Sequence, residues 1–179
     1  MLNAGGTIFS QSAESGSYTL YPTPELEILY KIHTIKSLSF YTGLNYTYSY
    51  SLYDLGVKSE WKRTAHELAF PLFLEQGIGK YIVIKGGTSI GYLLKGKEEY
   101  RSNIPAHPKW VDVTDYTDYN ESSRFYMVLF LNPKLKFDFD AWNTISVGPT
   151  VRYYIEDNWM ERVRNETMFG ITLQYSFRI

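Results

Sequence analysis

The sequence predicts an all-β protein: an eight-stranded antiparallel up-and-down transmembrane β-barrel with short periplasmic turns and long extracellular loops. Three observations predict it. Apolar and polar residues alternate with a period of two in stretch after stretch, most clearly from Phe169 to the C-terminus, where Phe169, Ile171, Leu173, Tyr175, Phe177 and Ile179 interleave with Gly170, Thr172, Gln174, Ser176 and Arg178. The connections between stretches alternate between tight and long, as in a meander whose two ends differ. The apolar face is almost free of charge, which in water would be an aggregation hazard and in lipid is a requirement.

The totals agree. A length of 179 residues suits one domain, taken as 1–179, and 17% aromatic residues favour strands and water–lipid boundaries. A net charge of −1 gives no basic field, so nucleic acid is not an expected partner. There is no cysteine, which excludes a disulfide frame, a thiolate metal site and a cysteine nucleophile. The longest apolar run, Phe125 to Leu131, is seven residues, against the ~18 of a transmembrane helix. Mean hydropathy of −0.28 is no objection to a membrane barrel, because lumen-facing residues cancel lipid-facing ones. The opening Met-Leu-Asn-Ala-Gly-Gly lacks the regions of a signal peptide, so an exported protein would be present in its mature form.

Taken in order, Leu2 to Phe9 is a short strand weakened by Gly5 and Gly6, and Gln11 to Leu20 reads as a Ser- and Gly-containing loop. Tyr21 to His33 alternates Leu26, Ile28, Tyr30 and Ile32 with Glu25, Glu27, Lys31 and His33. After a tight connection at Thr34 to Ser37, Leu38 to Tyr50 forms a long strand, and Ser51 to Arg63 is expected as polar loop. The fourth strand sets Leu68, Phe70, Leu72 and Leu74 against Glu67, Ala69, Pro71, Phe73 and Glu75. Gln76 to Gly79 turns the chain into a fifth strand, Lys80 to Lys95, with Lys85, Gly87, Ser89, Gly91 and Lys95 on its polar face. Gly96 to Ser123 is the longest irregular stretch, and segments of that length are usually functional or disordered. Arg124 to Phe139 is the sixth strand; Asp140 to Asn143 turns the chain into a seventh, which sets Ile145, Val147, Val151, Tyr153 and Ile155 against Ser146, Gly148, Thr150, Arg152 and Glu156; charged Glu156 to Asn165 leads to the terminal strand, Met168 to Ile179.

An eight-stranded barrel is just wide enough for its own side chains, so an open pore is not expected. The polar face would supply a lumen network of Glu25, Glu27, Lys31, Glu67, Lys85, Lys134, Lys136, Asp138, Arg152 and Arg178, with Glu75 beside it. These charges are expected to neutralise one another, since an unpaired charge in a closed lumen is costly, with Glu27 or Asp138 opposite Arg178. Tyr48, Tyr50, Tyr92, Tyr153 and Phe125 fall near the long loops and Phe40, Phe139, Trp142 and Phe177 near the tight turns, as two interfacial belts would. Pro71, Pro133 and Pro149 lie inside strands, where the lost N–H is expected to require bulges.

Leu38 to Tyr46, Leu68 to Leu74, Gly86 to Lys95, Gly148-Pro149 and Gly170 to Phe177 together resemble the eight-stranded outer-membrane barrel family common in Bacteroidetes, often called PorT-like. OmpA-type and OmpX-type barrels are its architectural relatives. The resemblance spans nearly the whole chain and implies a location in the bacterial outer membrane, with proline tolerated at the positions of Pro71 and Pro149. It departs at the end, where the family finishes on an aromatic residue and this chain follows Phe177 with Arg178 and Ile179.

Chemistry is sparse. His33, His66 and His107 are too scattered for a triad or metal site, and His66-Glu67 lacks the second histidine of a zinc helix. Asp112, Asp115, Asp118 and Glu121 do not have EF-hand spacing, and no cofactor or metal is expected. The expectation is a non-enzymatic barrel in outer-membrane lipid, an accessory subunit of an envelope complex or a surface-binding protein. Trp110, Tyr116 and Tyr119 in the longest loop are its candidate partner contacts, since exposed aromatics are common interface anchors. Two alternatives are a lipid-modifying barrel enzyme, motivated by His66, and a soluble lipocalin-like carrier with the opposite face buried.

Overall fold

The computed structural model describes residues 1–12, 18–54, 59–102, 111–115, 125–156 and 167–178. The strands are β1 (Leu2–Ser12), β2 (Tyr18–Ile35), β3 (Leu38–Asp54), β4 (Ser59–Ile78), β5 (Ile82–Ser102), β6 (Val111–Asp115), β7 (Phe125–Asp138), β8 (Asn143–Glu156) and β9 (Thr167–Phe177). Each strand pairs antiparallel with its neighbours; β4 pairs β5, β5 pairs β7, and β1 pairs β9, so eight strands close into a barrel. The ninth, β6, adds to the far end of β5 only.

Closure runs through the weakest stretch of the sequence. Leu2 to Ser10 pairs with Phe177 to Phe169 on one side and with β2 on the other, so β1 is partnered on both edges and the barrel closes. The glycines contribute by permitting close approach: a β-carbon at Gly5 would lie 2.4 Å from the Leu173 carbonyl oxygen.

Outward side chains are large and apolar. Leu26, Ile28, Phe70, Leu72, Ile90, Leu129, Leu131, Phe169, Ile171 and Leu173 are all exposed, Leu173 by 58%. Inward side chains are small or polar: Asn3, Thr7, Thr47, Thr150 and Thr172 are buried, and Glu27, Lys85 and Lys134 are buried with them. A soluble barrel has the reverse arrangement, so the lipocalin-like alternative is incompatible with these faces.

Three sequence expectations are corrected. Ser51 to Arg63 is mostly strand: β3 and β4 continue their ladder to Asp54↔Glu60. Gly96 to Ser123 likewise begins as strand, with β5 running to Ser102 and β6 pairing Asp115 to Lys97. Local ladder hydrogen bonds outweigh polar composition there. The expected bulges at the prolines do not occur. Register shifts fall instead at Lys31/His33, His66/Glu67 and Glu98/Glu99. Between β7 and β8 the ladder lapses after Leu131↔Val151 and resumes at Leu135↔Val147 in the same register, so Pro133 and Pro149 face each other in one gap and the strands continue without a shift. A β-carbon at Gly148 would sit 2.0 Å from the Pro133 carbonyl oxygen, so glycine lets the strands close in at this gap.

The tight connections are ordered by local chemistry. Lys36 takes a positive φ of 56° in the β2–β3 turn and Gly79 one of 64° after β4. Between β7 and β8, the Asp140 carboxylate accepts the backbone N–H groups of Trp142 and Asn143, each at 2.7 Å.

Candidate functional site

The lumen is filled in layers. At its centre Glu27, on β2, accepts hydrogen bonds from Asn3 (3.1 Å), Asn45 (3.1 Å) and Gln174 (3.1 Å), and from Lys85 at 3.1 and 3.2 Å. Both carboxylate oxygens are therefore saturated by donors from β1, β3, β5 and β9. Lys134, on β7, donates to the Gln174 side-chain oxygen, which extends the layer across the barrel. The Lys85 ammonium also lies 4.1 Å from the Phe73 ring centroid, so its remaining surface meets an aromatic face.

Towards the long-loop end, Glu25 accepts from Thr7 (3.0 Å) and pairs with Arg152, and Tyr126 donates to Glu67 at 2.7 Å. A cavity of about 70 Å³ lies among Glu25, Glu67, Tyr126 and Arg152, above the central layer. Towards the tight-turn end, Leu29, Tyr41 and Phe73 form an apolar cluster, with the Tyr41 and Phe73 rings stacked at 5.2 Å. Below it a larger cavity, about 430 Å³, is lined by Lys31, Glu75, Lys136 and Arg178 among others. Lys136 pairs with Asp138 at 3.0 Å.

The structure thus gathers the ten sequence-derived lumen charges into three groups. Glu25, Glu67 and Arg152 share the upper layer, Glu27, Lys85 and Lys134 the middle, and Lys31, Lys136, Asp138 and Arg178 the lower mouth. The expected pairing of Arg178 with Glu27 or Asp138 does not form. Glu27 is saturated by Lys85 and three amides, and Asp138 is taken by Lys136 and by the Thr144 hydroxyl at 2.7 Å. The sequence-derived network holds charges alone: parity puts Asn45, Phe73 and Gln174 on inward faces without giving them a part in it, and Asn3, Tyr41 and Tyr126 are not singled out. Inward parity on their strands was the signal available for those three, and for Tyr41 large size pointed the other way.

On the outer wall, His66 accepts or donates at Nδ1 to the Tyr46 hydroxyl at 2.6 Å, and its ring lies 5.0 Å from that of Tyr48. No carboxylate or serine contacts it among the described residues. Beyond His66 the wall turns polar. The bulge opposite His66/Glu67 turns Lys95 outward, against the expectation that it shares the face of Lys85. Above it Glu99 bonds to Lys62 and, at 3.1 Å, to Lys97, and these donors, Lys62 foremost, hold its carboxyl below the usual range. This polar extension of β3, β4, β5 and β6 projects past the apolar band on one side of the barrel. The candidate contacts Trp110, Tyr116 and Tyr119 lie outside the described residues, as do Asp118, Glu121 and His107.

A closed, eight-stranded, all-antiparallel barrel with an apolar exterior and a filled polar interior is the fold of the small outer-membrane β-barrels. Among solved structures the chain is similar to Ail, the attachment invasion locus protein of Yersinia pestis, with 12% identity over 99% of this chain and 96% of that one and a TM-score of 0.53. It is similar also to Neisserial surface protein A, with 10% identity, the same coverages and a TM-score of 0.56. Ail in complex with the heparin analogue sucrose octasulfate matches with 13% identity over 99% and 96% and a TM-score of 0.50. No family model and no curated protein sequence matches the chain.

Proposed function

We propose that the protein is an integral outer-membrane β-barrel without enzymatic activity, an accessory subunit of an envelope complex or a surface-binding protein that works through its long-loop end. The carrying observation is the asymmetry of that end. β4 and β5 are 20 and 21 residues long, about twice the ~9 to 11 that cross the hydrocarbon, and their outward side chains change from apolar to charged beyond Leu68 and Leu94. The surplus forms a ladder standing above the lipid, carrying the segment that contains Trp110, Tyr116 and Tyr119. A rigid strand scaffold bearing an aromatic-rich loop is suited to binding a macromolecule. The polar lumen network is structural in this reading: its carboxylates are engaged by donors across the barrel and lock strand to strand. The motifs shared with the PorT-like barrels of Bacteroidetes support placing the chain with that group.

Insertion is tested by fractionation and by cysteine labelling at Leu72 and Val147. The protein should require detergent, shift in apparent mass on heating, and resist a water-soluble thiol reagent at both positions until unfolded. Recovery as a soluble protein without detergent would overturn the reading. Partner binding is tested by replacing residues 103–124 with a short Gly-Ser connection, which should leave the heat shift intact while abolishing co-purification of a specific envelope component. For enzymatic activity, the reading expects unchanged membrane lipid profiles when the protein is deleted. The Tyr46–His66–Tyr48 cluster serves as part of an interfacial aromatic belt.

A further inference from the structure

The cavity of about 430 Å³ at the tight-turn mouth has a charge balance unlike the rest of the lumen. Of the cations lining it, Lys85 is neutralised by Glu27 and Lys136 by Asp138. Among the described side chains that leaves Lys31, Lys134 and Arg178 with no carboxylate at ion-pairing distance, and Glu75 as the one unengaged carboxylate on the lining, a side-chain excess of two positive charges. These cations come from β2, from β7 and from the residue after β9, so chain topology converges them on one space. Lys134 is the informative one. Its side chain is buried, it lines the cavity, and its only acceptor among the described residues is the neutral Gln174 amide, which leaves two of its three ammonium hydrogens unused. A buried ammonium with no carboxylate in contact is costly, and replacement by a neutral residue would be the simpler way to fill that position. Ser39, Tyr41 and Ser146 add hydroxyls to the same lining, and the volume falls within the range of small-molecule sites.

We propose that this vestibule binds a compact polyvalent anion of the phosphate class, admitted from the tight-turn side, with Lys134 at its floor and Lys31 and Arg178 at its rim. A doubly charged oxyanion matches the surplus, and its several acceptor oxygens match donors arriving from different strands. The site lies at the opposite end of the barrel from the projecting ladder and is independent of what binds there.

The test uses the whole chain folded in detergent free of phosphate. Titration with inorganic phosphate, followed by calorimetry, should give saturable binding to one site per chain and should raise the thermal midpoint with concentration, as linkage requires. Glycerol phosphate provides the second arm: binding at least as tight as inorganic phosphate assigns the site to an organic phosphate, and weaker binding assigns it to the free ion. Lys31 and Arg178 are exposed, so the double variant Lys31→Gln/Arg178→Gln should keep the heat-dependent gel shift while losing at least tenfold in affinity. Lys80→Gln, on an exposed turn outside the vestibule, should bind as the parent does. Absence of saturation at millimolar phosphate, or equal affinity in the parent and the double variant, overturns the proposal. Saturation by an acidic peptide but not by either phosphate overturns it in favour of a protein partner.

Discussion

Removing one member of the Glu27–Lys85 pair should be among the most damaging single changes available inside this barrel. Glu27→Leu would strip the acceptor from Lys85, Asn3, Asn45 and Gln174 at once, and would leave Lys85 and Lys134 as two buried cations in one layer. Breaking a buried pair by removing one partner costs about 3 to 5 kcal/mol, and the orphaned amides place this case towards the upper end. Lys85→Met should cost less, near 3 kcal/mol, because the three amide donors continue to satisfy the carboxylate and the methionine side chain retains contact with Phe73. The double variant should recover part of the loss, with a coupling of roughly 1 to 3 kcal/mol. Reversible urea unfolding of the protein in lipid vesicles, read by tryptophan fluorescence and checked by the heat-dependent gel shift, measures all three. A Glu27→Leu effect below about 1 kcal/mol would refute the idea that this layer holds the strands together.

Three further outcomes are expected. Leu173→Arg, on the exposed wall of β9, should destabilise the inserted barrel by about 2 to 4 kcal/mol if that wall meets the bilayer midplane, measured in the same vesicle assay. Gly43→Ala should destabilise by more than the ~1 kcal/mol of an average substitution, because the added carbon would lie 2.0 Å from the Ile28 carbonyl oxygen and β2 and β3 would have to part; loss of amide exchange protection in those strands reports it. Asp140 is held below the ordinary aspartate range by the Asn143 side chain and the backbone N–H of Trp142. Its contribution is therefore present above about pH 3.9 and fades as pH falls through the lower folded value, so the stability difference between the parent and Asp140→Ala should shrink towards zero in acid unfolding titrations.

Alternation with a period of two was enough to identify the eight barrel strands, their order and their outward faces, because a strand's side chains are assigned to faces by parity alone. Leu2 to Phe9 carried little signal, and its place between β2 and β9 is decided by closure: without it two edges would remain unpaired. Strand ends were not legible. The ladder of Ser51 to Asp54 with Glu60 to Arg63 continues past the apolar band, and composition does not distinguish a polar ladder from a polar loop.

The sequence by itself determined the inward face where strands run without a bulge, since inward parity and charge coincide at Glu27, Lys85, Lys134 and Arg152, while the bulge beside Lys95 was not legible in it. Which inside residues meet was decided only by tertiary structure. The stagger of eight strands sets the height of each side chain in the lumen, and that height pairs Glu27 with Lys85, fifty-eight positions away, rather than with Arg178. The same stagger opposes Pro133 to Pro149, which confines both prolines to one gap in the ladder without a bulge, and it gathers Lys31, Lys134 and Arg178 on one cavity where, among the described side chains, Glu75 is the carboxylate left to answer them.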